Sequence, residues 1–533
     1  MMNSTSQNLM PQKKRLFPIL FWVILISIIL FLLIYRLNNW PTVWWDEGWT
    51  LSAARNWIES GHLGNYLDGQ PVPPRIPLRF PVAVPVAISM KIFGIGVWQG
   101  RLPGVIFTIL VLGLYVYIVS QMYDRKTGIA TLLLLLCLSP FTFQPIISGR
   151  QVMAEMPMMF YLLGGYTFLW LALSRSAYWS VGAAILFGIG IHAKLQVPPF
   201  WIVSISLAIW VAIKHRQWKS LKILAGVAMG TVGVAILVYL AQNMIMPGSF
   251  ADPELLKLLL TTSVITLIWS IRWKAIYTVV IFALPELIGY IWAGRQILRN
   301  LLTRRAENEV TNPSEVNKSI LRAAIWGLGV SWLIWFATMS MFWIRYLLPA
   351  YFLGLIFVSA FVNEITNGFD VRAIIRRTSA LLFRREFNRA NFQAVTMILI
   401  FSIALGFAIG TMRIVLAPSI WNPELAATYL RNNIPTDATV ETYESEMLFM
   451  APDLKYHFPP DLVSMQLYRR ANIDVQYPID YDPLKAHPDY LVVGPFAQSW
   501  GLYDDVLIQG WFELEADVGG YQIYHIKNSQ SVN

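Results

Sequence analysis

The sequence predicts an all-α polytopic membrane domain followed by a small α/β unit, and three observations carry that prediction. Of 533 residues, 56% are hydrophobic and only 14% are charged, against about 45–50% and about 25% in an ordinary soluble domain. Long uncharged apolar runs recur through the first three quarters of the chain, and a membrane span needs about 20 such residues. The charge also changes sign where the last run ends: residues 417–533 carry 6 Lys and Arg against 16 Asp and Glu, whereas residues 1–416 carry 35 against 15. The expected division is a transmembrane domain over 1–416 and a soluble domain over 417–533.

This composition excludes disorder and an ordinary cytosolic enzyme. The single cysteine, Cys137, has no partner for a disulfide or a thiolate metal site. The formal charge of +10 does not signal nucleic-acid binding. The basic excess clusters in short segments, Lys13-Lys14-Arg15, Arg125-Lys126, Lys214 to Lys222, Arg304-Arg305 and the six arginines from Arg372 to Arg389, which is the pattern of cytoplasmic loops.

The run from Leu16 to Tyr35 follows a basic amino terminus without a small-residue cleavage pattern, and reads as a retained signal anchor. Further spans are expected at about 102–121, 127–147, 152–173, 178–193, 197–213, 220–244, 274–300, 319–341, 346–363 and 393–416, about eleven in all. Residues 78–93 are apolar but short, carry Arg79 and Lys91, and contain Pro81 and Pro85. A crossing there would put the downstream basic loops outside, so the segment is expected to lie in the outer interface. A second outer interfacial or re-entrant helix is expected over 254–271. In the tail, a helix over Pro423 to Arg431 and strands over Ala438 to Tyr443, Tyr490 to Val493 and Tyr521 to Ile526 are separated by turn signals at Pro435-Thr436-Asp437 and Gly519-Gly520. No internal repeat is visible.

This topology places the acids worth weighing on the outer side. Asp46 and Glu47 follow Trp44-Trp45 and precede Trp49 at the start of a helical pattern. Asp46 can be read as a helix cap, or as a charge kept at the bilayer surface for chemistry; the tryptophans can be read as an interfacial belt. Glu155 opens a membrane helix in the next outer turn, where the macrodipole favours an acid. With Arg150, the two acids could surround a phosphate ester, one acting as base and the other positioning a hydroxyl or a divalent metal ion, with Asp46 and Glu155 as the candidate ligands. Arg75, Arg79, Arg101, Lys194 and Arg345-Tyr346 fall at outer membrane ends. One such cation is explained by snorkelling; several at the outer side oppose the positive-inside bias. Glu286, beside Pro285 inside an expected span, reads equally as structural or functional. Motifs for nucleotide-driven transport, zinc proteolysis and dinucleotide binding are absent.

Taken in order, Trp45-Asp46-Glu47, Arg75-Ile76-Pro77-Leu78, Arg101-Leu102-Pro103, Glu155-Met156-Pro157, Lys194 and Arg345-Tyr346-Leu347-Leu348-Pro349 resemble the GT-C glycosyltransferases, in the branch of protein O-mannosyltransferases and lipid A aminoarabinose transferases. The resemblance implies a GT-C membrane domain with interfacial helices in its first outer loop. It further implies inverting transfer of a sugar from a polyprenyl-phosphate donor to a hydroxyl of a lipid, glycan or protein acceptor on the outer face. Asp46 would be the general base, with Glu47 beside it. Glu155 matches a second acid, as Glu where Asp is common. Arg75, Arg79, Arg101, Arg150, Lys194, Arg345 and Tyr346 would serve the donor phosphate, and Trp49 stands where a relative carries arginine. The resemblance implies no required cofactor and leaves a divalent ion at the acid pair open, since metal dependence varies within such enzymes. The expected setting is a bacterial inner (plasma) membrane, with the amino terminus cytoplasmic and the C-terminal domain outside.

Two other classes remain. A transporter or flippase of a lipid-linked sugar would place its ionisable residues near the bilayer midplane and show repeats. A polysaccharide ligase or polymerase would share the lipid-linked substrates.

Overall fold

A bilayer offers no partner to an unpaired backbone N–H or C=O, so the apolar runs become helices. The computed structural model describes residues 13–72, 78–246, 257, 264–302, 312–386, 388–418, 421–471 and 483–527. In chain order, α1 (Lys13–Ile34) and α2 (Trp45–Ser60) are followed by the ribbon β1 (Asn65–Leu67) and β2 (Gln70–Val72), then α3 (Phe80–Phe93), α4 (Val97–Met122), α5 (Arg125–Leu138) and α6 (Pro145–Gly149). The bundle continues with α7 (Glu155–Ser174), α8 (Trp179–Ala193), α9 (Val197–Lys214), α10 (Trp218–Ile245), α11 (Trp269–Phe282), α12 (Leu284–Leu302), α13 (Pro313–Thr338), α14 (Leu348–Ile365), α15 (Val371–Arg384) and α16 (Arg389–Leu416).

Nine of the eleven expected spans are each met by one helix. Among the described residues, α4, α7, α9, α10, α13, α14 with its preceding turn, and α16 are long and apolar enough to cross a membrane. The chain is a multi-pass membrane protein. Two expected spans are not continuous helices. The one over 127–147 stops at Leu138, because Pro140 and Pro145 remove backbone donors, and residues 141–149 form a short 3-10 turn and α6 instead. The one over 274–300 is bent by 84° between α11 and α12, where Pro285 cannot donate to the preceding turn. The interfacial helix expected over 78–93 is α3, with Pro81 in its first turn and Pro85 inside; at about 21 Å it is too short to cross. Half of the helix expected over 254–271 falls outside the described residues; of the rest, residues 265–268 are not helical and only the last residues, from Trp269, belong to α11.

The two ends of the bundle differ chemically. At one end, Arg322 Nε donates to the Met122 carbonyl (3.1 Å), Asn363 to Asp124 (2.8 Å) and Ser220 to Asn317 (3.2 Å), close to the basic segments around Arg125 and Lys214. The other end carries α2, α3 and the C-terminal unit. That unit contains α17 (Pro423–Asn433), α18 (Ser445–Met450), α19 (Pro460–Ala471), α20 (Pro495–Trp500) and α21 (Asp504–Ile508), around β3 (Thr439–Thr442), β4 (Lys455–His457), β5 (Tyr490–Val493), β6 (Phe512–Val518) and β7 (Tyr521–Ile526). The sheet order is β4-β3-β5-β7-β6. β3 is parallel to both its neighbours, with Val440 opposite Tyr456 and Tyr490, and β7 is antiparallel to β5 and β6.

Helix α2 joins the two parts. Trp45 and Trp49 sit in the apolar core of the C-terminal unit, with Trp45 stacked on Tyr443 (5.5 Å) and Phe496 (5.6 Å). Ser445 Oγ donates to the Trp45 carbonyl. Gly48 permits this approach, since a Cβ there would lie 2.6 Å from Glu446 Cα. On the opposite side, Glu47 accepts two bonds from Arg101 of α4, at 2.7 Å each, and one from the Val152 N–H at 3.0 Å. Arg101 also donates to the carbonyls of Leu37 (2.8 Å) and Pro41 (2.7 Å), and both side chains are fully buried. Arg150 donates to the carbonyls of Leu32, Tyr35 and Trp40 and packs on the Trp40 ring.

Two further acids are buried under α2. Glu444 accepts from the Ala497 N–H (2.7 Å) and Glu446 from the Tyr521 hydroxyl (2.7 Å). Burial, with the charge of Glu446 next in size, pushes the Glu444 carboxyl well above the usual carboxylate range. Burial, with a smaller contribution from Glu47, raises Glu446. The fold therefore favours their neutral forms.

Two outcomes follow from this framework. Arg101→Met leaves the Glu47 carboxylate buried and unpaired, and is expected to cost about 3–5 kcal/mol; thermal unfolding of the purified protein measures it, and an unchanged midpoint would remove Glu47–Arg101 as the joint. Groups whose folded pKa is raised contribute stability fully below their unfolded value, about 4.3 for Glu, and lose it as pH rises through the folded value. The C-terminal unit should therefore unfold more easily at pH 8 than at pH 5, and Glu446→Gln should flatten that slope.

Candidate active site

The helix period separates two neighbouring acids. Successive residues of an α-helix point about 100° apart, so with Glu47 turned into the body, Asp46 faces a cavity between the membrane helices and the C-terminal unit. The cavity has a volume of about 640 Å³, within the range of small-molecule sites. The helix cap at Trp44 has no side-chain bond, and the Asp46 carboxylate is held by Arg345 Nη1 instead. This pair is about a quarter exposed, at 26% and 22%.

A second ion pair shares the cavity. Lys194 Nζ, just past the end of α8, donates to Glu155 Oε1 at 2.6 Å, and Glu155 opens α7. Tyr346 lies between the pairs, with Lys194 4.8 Å and the Arg345 guanidinium 5.8 Å from its ring centre. Trp343 (4.6 Å) and Trp44 (5.4 Å) complete an aromatic cage around Arg345. Arg79, which precedes α3, supplies a third cation to the lining. The broken backbone between α5 and α7 forms part of the wall through Phe141, Thr142, Ile147 and Ser148; irregular backbone at membrane depth is tolerated where it lines a cavity.

The structure thus gathers Asp46, Glu155, Arg79, Lys194, Arg345 and Tyr346 around one cavity. It does not bring Glu47, Arg101 or Arg150 to that lining. These were expected at the chemistry, but their charges are consumed by carbonyls and by each other in the body of the protein, which makes them positioning groups. Arg75 lies outside the described residues. Glu286 is 1% exposed and packs against Gly354 of α14, away from the cavity lining. The expected metal pair, Asp46 and Glu155, lies on one cavity. Among the described residues no three His, Cys, Asp or Glu side chains converge, and Asp46 and Glu155 each face a protein cation instead.

Sequence reasoning missed Gln196, Gln466, Phe496 and Trp500, all of which line the cavity. Phe496 and Trp500 lie on α20 and Gln466 on α19, more than 400 residues after Asp46, and no local motif marks them.

No known protein-family model matches the chain, and no curated protein matches it. Solved structures do. ArnT from Cupriavidus metallidurans bound to undecaprenyl phosphate superposes with a TM-score of 0.61 and 14% identity, covering 95% of this chain and 98% of that one. The archaeal oligosaccharyltransferase AglB from Archaeoglobus fulgidus, in complex with an inhibitory peptide and a dolichol-phosphate, gives 0.55 and 12% over 98% of this chain and 76% of its own. The chain has the GT-C fold of these glycosyltransferases.

Proposed function

We propose that the protein is a membrane glycosyltransferase that moves a sugar from a polyprenyl-phosphate donor to an acceptor hydroxyl, with inversion at the anomeric carbon and Asp46 as general base. The observation that carries this reading is the cavity in which a partly exposed aspartate sits among Arg345, Lys194 and Arg79. It is supported by the shared fold with a structure holding undecaprenyl phosphate and another holding a dolichol-phosphate.

The acceptor oxygen attacks the anomeric carbon from the face opposite the phosphate while its proton passes to the Asp46 carboxylate. The bond from that carbon to the phosphate oxygen breaks, and its electron pair leaves with the lipid phosphate. The departing group gains a negative charge, which Arg345, Lys194 and Arg79 stabilise in a partly dehydrated site. A lipid phosphate leaves readily, so the base and the cations carry most of the work. Arg345 touches Asp46 and can serve base and leaving group together, while Glu155 holds Lys194 toward the same space. The apolar wall, with Phe141, Ile147, Val264 and Ile344, suits a prenyl chain. The carbohydrate side of the reaction, and with it the cavity and the C-terminal unit, faces outward from a bacterial inner membrane.

Asp46→Asn should lower release of polyprenyl phosphate by about 10²–10⁴-fold while leaving donor binding in place, measured on purified protein in lipid with a panel of polyprenyl-phosphate sugars and an envelope acceptor. Donor binding without release by the wild type would move the reading to a transporter. In a Cys137→Ser background, a cysteine replacing exposed Asp505 should react with an impermeant maleimide on intact spheroplasts, and one replacing exposed Ser379 only after permeabilisation; the reverse pattern would invert the topology.

A further inference from the structure

The connection between α14 and α16 concentrates positive charge that the described residues do not answer. Helix α15 carries Arg372, Arg376, Arg377 and Arg384, and Arg385 follows it. Among the described residues none of these arginines has a hydrogen bond or a carboxylate partner. Only Asp370 and Glu386 flank the helix. Asp370 is used as its cap, accepting from the Ala373 N–H at 3.0 Å, and Glu386 is exposed beyond its end. Lys126, at the start of α5, adds a further cation by donating to the Gly368 carbonyl (3.3 Å) in the turn before α15. Like charges this close repel one another, and an external anion relieves the repulsion.

The same helix exposes apolar side chains. Successive residues point about 100° apart, so Ile375 and Leu382, seven positions apart, fall on one line along the helix. They are 60% and 63% exposed, while Ala373 is buried and the helix packs against α16. Arg372 and Arg376 flank that line, and Arg377 and Arg384 lie further around the helix. With 14 residues, and so a length of about 21 Å, α15 is too short to cross a bilayer. It is joined on both sides to apolar spans, Ile344–Ile365 and Gln393–Leu416, at the end of the bundle away from the C-terminal unit, which keeps it at the bilayer surface. An apolar line bordered by arginines at that depth suits a helix lying in the interface, with its apolar side chains among the lipids and its guanidinium groups at the headgroups. A nucleic acid or an acidic protein would meet the arginines and leave Ile375 and Leu382 in water.

We propose that α15 binds the headgroups of anionic phospholipids, with Ile375 and Leu382 inserted among the lipids and Arg372 and Arg376 on the phosphates. Nothing in this requires sugar transfer.

The test uses the full-length protein carrying Cys137→Ser and Leu382→Cys, labelled at position 382 with an environment-sensitive fluorophore. It is reconstituted in vesicles of phosphatidylcholine and phosphatidylglycerol, with one or the other lipid brominated so that it quenches on contact. Phosphatidylglycerol should be preferred beside position 382 by about fivefold or more, since each arginine near an anionic surface contributes about that factor, and added salt should weaken the preference. The same label at Ile403→Cys, exposed in the middle of α16, should report no preference. Arg372→Gln with Arg376→Gln should lower the preference at position 382 to about twofold or less, while Arg372→Lys with Arg376→Lys should keep it, which separates lost charge from lost folding. Equal quenching by the two lipids in the labelled parent overturns the proposal, as does a preference untouched by the glutamine pair. A label at position 382 that neither lipid quenches would place this face in water, toward a soluble partner, and overturns it as well.

Discussion

The buried pair of Glu47 and Arg101 is the joint on which the rest of the outer end depends. A carboxylate and a guanidinium taken together out of water are tolerable only when nearly every donor and acceptor is satisfied. Here the fork of Arg101 meets both oxygens of Glu47 while its other donors reach the carbonyls of Leu37 and Pro41, and Glu47 takes the Val152 N–H as well. Three stretches distant in sequence are thereby fixed around one point: the turn after α1 with the start of α2, the start of α4, and the loop before α7. Because Glu47 is held, the direction of Asp46 on the same helix is set.

The other face of α2 answers to a different force. Trp45 and Trp49 enter the C-terminal core through stacked aromatic rings, and Gly48 lets the backbone of α18 approach more closely than a side chain would allow. One short helix is thus clamped by an ion pair on one side and by apolar burial on the other. That arrangement makes the cavity a composite, with cations from the membrane helices and with Gln466, Phe496 and Trp500 from the C-terminal unit. The buried acids Glu444 and Glu446 lie in the same joint, where burial raises both carboxyls and the charge of Glu47 adds to the rise of Glu446.

The cavity itself exists because the bundle is broken around it. The prolines at 140 and 145 end α5 early, and the freed backbone lines the space rather than facing lipid. The two ion pairs orient both carboxylates and both cations toward a common volume, with the Tyr346 ring between them. Such a site is preorganised for an anion that arrives with a long apolar tail, and the charge of that anion is met by side chains already in place.

The sequence by itself determined which parts of this protein are membrane and which are not, because hydropathy and charge bias act locally and additively. It also marked Asp46, Glu155, Lys194 and Arg345, whose charges at outer helix ends are costly enough to stand out. The strands over Tyr490–Val493 and Tyr521–Ile526 were readable for a similar reason, being short apolar runs bounded by turns. Strand β6 was missed although Phe512-Glu513-Leu514-Glu515 alternates, since two exposed acids in a short edge strand look like a solvated loop. Only the tertiary structure decided that Glu47 and Asp46 part company, that Arg101 and Arg150 are anchors rather than ligands, and that two glutamines from distant segments face the same space. Those assignments depend on which partner a side chain finds. A partner hundreds of residues away leaves no trace in local composition or period.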